Sequence, residues 1–224
     1  MDRTHFDVRC CFCSEISSRL FPVELQQVYG ERASRICHET RDFVVFPSVS
    51  PLTAGHLLVV SQRHVHSFAD LPLASRQEAQ ALVEGLGRHL AAAFAQPAYI
   101  FEHGVPVHGG NACGVDHAHV HVLPLPGDIA SEVQARVNED FPASAHGPLL
   151  EVLELVSAER NESYLIYGDS SSELAVCAGR DIRSQYMREI IAGLMGSRRY
   201  DWKGLYNADA FALSYKVGAG YGHA

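Results

Sequence analysis

The sequence predicts an α+β fold: a sheet that carries one long helix, followed by a smaller α+β segment. Three observations lead there. Short apolar runs bounded by Pro, Ser and Gly read as strands, one long stretch is apolar at helical spacing, and the strands and helices follow each other in an α+β order. Residues 43–46 and 56–61 are β-branched and apolar, with Pro47, Ser50, Pro51 and Gly55 between them, so they read as two strands around a turn. Residues 74–96 carry Leu82, Leu86, Leu90 and Phe94, the stripe of a long amphipathic helix. Tyr99-Ile100-Phe101-Glu102 reads as a third strand, and residues 117–124 as a fourth, closed by Pro124.

Beyond Pro126 the texture changes. Residues 129–139 read as a short helix, and 141–148, with two prolines and a glycine, as a linker. Strands are expected at 163–167 and 173–178, then a helix over 183–195. Met187, Ile190, Ile191, Leu194 and Met195 share one face of that helix, and Gly196 lies just past its end. The expected division is residues 1–127, a 128–148 linker with a short helix, and a 149–224 extension. The extension carries no assignable chemistry, and its cluster Tyr200-Asp201-Trp202-Lys203 is read as packing rather than as a cap over a site.

Composition narrows the partners. The 224 residues carry a formal charge of −8, which argues against extended nucleic-acid binding, because a phosphate backbone needs a cationic face. A small phosphorylated ligand needs only a few local donors and stays open. No apolar run approaches the ~20 residues of a membrane span. The opening Met1-Asp2-Arg3-Thr4-His5 lacks the basic stretch and apolar core of a signal peptide, so the cytoplasm is expected.

Of six cysteines, Cys10, Cys11 and Cys13 cluster, while Cys37, Cys113 and Cys177 stand alone. In a reducing compartment the cluster points to metal binding, and Cys10 and Cys13 have the spacing of a zinc knuckle. The isolated three read equally well as small buried hydrophobes.

The densest chemistry is His117-Ala118-His119-Val120-His121. Residues two apart on a strand share a face, so the three imidazoles form a row. At ~3.3 Å per residue the outer two lie roughly 13 Å apart, too far to grip one ion through bonds of about 2 Å. A row of three tasks suits a phosphoryl substrate, which offers an attacked phosphorus, a leaving oxygen and a neighbouring contact. Chance alternation and a plain His-x-His metal pair are the competing readings.

His117-Ala118-His119-Val120-His121-Val122-Leu123 resembles the histidine triad motif, His-φ-His-φ-His-φ-φ with φ apolar, at all seven positions. Gly55-His56-Leu57-Leu58-Val59-Val60-Ser61-Gln62-Arg63-His64 is similar to the upstream segment of the same superfamily, with Ser61 in place of its proline. Cys10-Cys11-Phe12-Cys13 resembles the opening of its zinc-binding members. The three segments occur in the family's order, over roughly residues 10–125.

The resemblance implies an antiparallel sheet with a long helix, and a nucleotide hydrolase whose middle histidine attacks the α-phosphorus. His119 is then the nucleophile and His121 assists the leaving group, a role typically worth ~10²–10⁴ in rate. The expected substrates are small nucleotide-like phosphates: dinucleoside polyphosphates, nucleoside phosphoramidates or aminoacyl adenylates. His121 at the third position favours hydrolysis over nucleotidyl transfer or phosphorolysis; a zinc-stabilised binding protein without turnover is the remaining alternative. The resemblance also implies structural zinc on Cys10, Cys13, His64 and His117. It further implies a homodimer joined through the helix at 74–96 and a strand edge, a patch that two-fold symmetry would make self-complementary.

Besides Ser61, three sites depart from the family and bear on the substrate. Ser48 stands where an acid or amide that holds the ribose hydroxyls is usual. Ala112-Cys113-Gly114 replaces Gly-Gln-Ser/Thr, which leaves backbone amides to cradle phosphate oxygens. Glu102 stands where a neutral amide is common. Ser48, Glu102, Cys113 and Gly114 are accordingly the expected substrate contacts.

Overall fold

The computed structural model describes residues 7, 9–105, 115–158, 162–178, 182–204 and 206–222. Cys113 and Gly114 lie outside them. The chain begins with two short helices, α1 (Cys11–Ser18) and α2 (Val23–Tyr29), then strands β1 (His38–Glu39), β2 (Phe43–Pro47) and β3 (Leu57–Ser61). The long helix α3 (Leu73–Phe94) follows, then β4 (Ala98–Gly104) and β5 (His119–Pro124). The rest is α4 (Gly127–Asp140), β6 (Ala145–Gly147), α5 (Leu149–Ala158), β7 (Tyr164–Asp169), β8 (Leu174–Ala178), α6 (Tyr186–Leu194) and α7 (Ala208–Gly220).

All eight strands join one antiparallel sheet in the order β1-β2-β3-β5-β4-β7-β8-β6. The fold is thus α+β with a long helix under an antiparallel sheet. The turn between β2 and β3 depends on Gly55, whose φ of +89° suits glycine. A Cβ there would also lie 2.5 Å from the Phe94 ring.

The sheet separates two layers. On one face α3 and α5 cover Phe43, Val45, Leu57, Val59, Ile100, Val120, Val122, Ile166 and Val176, with Leu82, Leu86 and Leu90 of α3 all buried. The opposite face is covered in two blocks. Phe12 and Cys13 of α1 pack on Val44, Phe46, Leu58 and Val60, while α4 and α6 pack on Tyr99, Phe101, Leu123, Leu165 and Tyr167. His119 and His121 sit in the seam between these blocks, because they pair with Val60 and Leu58 of β3 and so share their face.

The segment expected to be a linker with a short helix forms that helix, α4, and then the strand β6, and the C-terminal strands extend the N-terminal sheet. β7 pairs with β4 over six residues, from Tyr99 with Asp169 to Gly104 with Tyr164. This pairing occupies a strand edge of the kind a second copy was expected to use. The edges left are β1 with two residues and β6 with three, too short to template another strand well. The face of α3 away from the sheet presents Leu73, Gln77, Ala81, Glu84 and Arg88 to solvent, a mostly polar surface with a single large apolar residue at its N-terminal end. We therefore expect light scattering across a concentration series to return the mass of one chain. A dimer mass at micromolar protein would show that another surface self-associates.

Candidate active site and metal centre

β5 presents the central histidines, and the preceding turn presents His117. Hydrogen bonds assign each ring's protons. His119 Nδ1 lies 2.7 Å from the His117 carbonyl oxygen, which can only accept, so Nδ1–H donates and Nε2 keeps its lone pair. Burial, with the charge of Arg188 adding to it, lowers the His119 pKa to about 4, so its ring is neutral at pH 7. A neutral imidazole with an exposed lone pair is a nucleophile.

His121 is fixed by a relay. Leu52 N–H donates to His56 Nδ1 at 3.1 Å, which leaves the proton of that buried ring on Nε2. Nε2–H then points at His121 Nδ1, 2.8 Å away, and the proton of His121 must sit on Nε2. Burial holds both rings well below the usual histidine range, so both are neutral. His121 Nε2 is buried without a partner among the described residues. Its ring is clamped by Phe101, stacked at 4.1 Å, and lies 5.0 Å from the His119 ring. The site therefore offers a lone pair and an orphan N–H side by side.

Both rings line a cavity of about 220 Å³. Phe12, Ser48, Val49 and Leu58 of the N-terminal part form one side, and Arg188, Trp202 and Tyr206 of the C-terminal part close it. Ser48 is buried, and its Oγ accepts from Ser50 N–H at 3.3 Å. Arg188 is buried on α6 and anchored by Nε to the Tyr200 carbonyl and by Nη2 to the carbonyl and hydroxyl of Ser50. Sequence reading passed over Arg188. A signal was present, since it falls three residues before Ile191 and beside Met187 on the helix face that packs inward. His56 appeared in the sequence only as part of a motif, without a role.

Glu102 corrects the expectation of a substrate contact. Phe101 points to the triad face, so Glu102, its neighbour on the strand, points to the α3 side. There its carboxyl meets Phe68 N–H at 2.7 Å and the Tyr164 hydroxyl at 2.9 Å. Burial pushes its pKa up from the ordinary 4.5 to about 8, with Asp70 contributing the same way. A carboxyl that holds its proton more tightly when folded stabilises fully below pH 4.5 and loses that contribution as pH rises through about 8. Wild-type stability should therefore fall between pH 5 and 8.5. Glu102→Gln should flatten that fall, as read from urea midpoints at both pH values. Equal slopes for the two proteins would show that Glu102 does not titrate in this range.

The metal centre gathers distant segments. Cys10 caps α1 and Cys13 lies three residues on, so both thiols face one side. Ligand atoms of Cys10, Cys13, His64 and His117 all lie within 4.8 Å of one another. Cys10 Sγ is 3.3 Å from His117 Nδ1, and Cys13 Sγ is 3.4 Å from His64 Nδ1 and 3.6 Å from His117 Nδ1. Tetrahedral bonds of about 2.3 Å to sulfur and 2.0 Å to nitrogen imply separations of roughly 3.5 Å, so the donor set fits such an ion. His117 Nε2 lies 2.7 Å from the Ser61 carbonyl, which takes its N–H and leaves Nδ1 as the ligand atom.

Residues 29–127 match the HIT domain family. No curated protein matches the chain. Among solved structures, the chain is similar to a Hit-like protein involved in cell-cycle regulation from Bartonella henselae, at 17% identity and a TM-score of 0.42, covering 55% of this chain and 82% of that one. It is similar to a HIT family hydrolase from Clostridium thermocellum at 18% identity and 0.38, covering 54% and 94%. A third is a Zn-bound histidine triad family protein from Mycobacterium smegmatis, at 20% identity and 0.36, covering 61% and 93%. No helix among the described residues is long and apolar enough to cross a membrane. The family match and the histidine row on β5 make residues 29–127 of this chain a HIT domain.

Proposed function

We propose that this protein is a nucleotide hydrolase that acts at the α-phosphate of a nucleoside polyphosphate, phosphoramidate or adenylate through a nucleotidyl-His119 intermediate. One observation carries the reading: His119 and His121 line the same cavity, the first with its Nε2 lone pair and the second with an Nε2–H that has no partner among the described residues. In the first step Nε2 bonds to phosphorus as the bond to the leaving group breaks. His121 Nε2–H donates a hydrogen bond to the departing atom; a phosphate or carboxylate leaving group departs as its anion, and the amine of a phosphoramidate departs neutral with a proton taken from solvent. The His117 carbonyl, on the far side of the ring, stabilises the positive charge that His119 acquires. In the second step water attacks the same phosphorus, the P–N bond breaks, and one proton passes to solvent. Neutral His119 and a nucleoside monophosphate result.

Zinc is the ion proposed for the Cys₂His₂ set. Four protein ligands leave no open position, so its role is to fasten α1 to the strand that carries the nucleophile. Incubation with adenylated and guanylated compounds, followed by intact mass measurement, tests the reading. The expected result is a protein heavier by one nucleotidyl group. Turnover without any such species, under quench conditions that preserve phosphohistidine, would overturn the covalent route.

A further inference from the structure

Arg188 reaches the catalytic cavity from outside the HIT domain. α6 packs into the second core block through Met187 and Ile191, and this fixes where the intervening arginine emerges. The guanidinium is held at three points: the Tyr200 carbonyl at 2.9 Å, the Ser50 carbonyl at 2.8 Å and the Ser50 hydroxyl at 3.1 Å. It thereby ties the C-terminal segment to the β2–β3 turn while lining the same cavity as His119 and His121. Ser50 lies two residues past Ser48, which lines the cavity, so Arg188 approaches the pocket beside Ser48. In a chain of net charge −8, anion capture depends on such local placement.

We propose that Arg188 is a specificity-determining residue that binds a second phosphate of the substrate, beyond the one His119 attacks. This rests on the nucleotide reading of the site. A guanidinium stays charged at every working pH and donates N–H groups to phosphate oxygens, and its fixed anchoring lowers the ordering cost of the contact. The apolar wall of Val49, Trp202 and Tyr206 accommodates the uncharged part of the ligand. Two sources supply this phosphate: the polyphosphate chain of the leaving group, or a monoester on the ribose.

Calorimetric binding of 5′-monophosphates, 5′-diphosphates and 2′(3′),5′-bisphosphates of adenosine and guanosine separates them. The wild type should bind one two-phosphate series about 10- to 100-fold more tightly than the monophosphates, the range of a charge-assisted hydrogen bond. The series that gains identifies the source. Arg188→Gln should erase the gain, and Arg188→Lys should keep part of it, because the charge remains. A merely structural Arg188 would weaken all ligands alike and leave the ratio unchanged. Monophosphates that bind without a gain in either series, or a gain that survives in Arg188→Gln, would overturn this inference and leave the proposed function standing. Binding of no nucleotide at all would overturn both.

Discussion

His119→Ala is expected to lower turnover by on the order of 10⁴–10⁶-fold and to abolish the nucleotidylated species, with an unchanged melting temperature. The size of the effect follows from the covalent route. Without Nε2 there is no intermediate, and water must attack phosphorus directly, aided only by binding and by the donor on His121. The small cost in stability follows from the position. The ring faces a cavity, and its one polar contact is with the backbone oxygen of His117, which the adjacent turn keeps in place. His121→Ala should cost less, about 10²–10⁴-fold, and should still permit labelling of His119, because it removes the donor and leaves the nucleophile. If His119→Ala retained more than about a hundredth of wild-type activity, the covalent mechanism would be untenable.

Removing the metal should be felt across the N-terminal half. Purified protein is expected to carry about one zinc per chain, and Cys13→Ser should carry almost none. Structural zinc sites contribute folding free energy directly, and for a chain of this length each kcal/mol is worth ~2–4 °C. A loss of several kcal/mol would then lower the melting temperature by roughly 10 °C or more. Activity should fall with it. The residue whose Nδ1 belongs to the metal set, His117, also supplies the carbonyl that orients His119. Phe12 of α1 packs edge-on against both rings, at 5.7 and 5.4 Å. Elemental analysis and melting curves before and after chelation are the measurements. A metal-free preparation whose melting temperature does not respond to chelation or to Cys13→Ser would remove zinc from the account.

Several features were legible because they are local. Apolar runs bounded by turn residues marked β2, β3, β4, β7 and β8, and helical spacing marked α3, α4 and α6, each within a few residues of its observed bounds. Alternation alone placed His119 and His121 on one face, since strand parity needs no partner. The helices missed from the sequence have specific reasons. α1 is only eight residues long and rich in Cys and Ser, which are weak helix formers. α2 is seven residues long, and α5 follows immediately on a Pro/Gly-rich stretch. α7 is held through Phe211, Ser214 and Gly218, a face with one large apolar residue and two small ones.

What the sequence determined by itself is the histidine row, the cysteine pair, the long helix and the α+β class. Each is written in spacings of two, three or four residues. What only the tertiary structure decided depends on register and on pairing between distant segments. The pairing of Phe101 with His121 puts Phe101 against the triad and turns Glu102 to the α3 side, a choice the strand's own alternation leaves open. The pairing of β7 with β4 makes the C-terminal segment a continuation of the sheet, and α6 then delivers Arg188 to a cavity some seventy residues away in sequence from His119. Sheet hydrogen bonds are made between backbones, which carry no residue identity, so which strand takes an open edge follows from how the whole core packs.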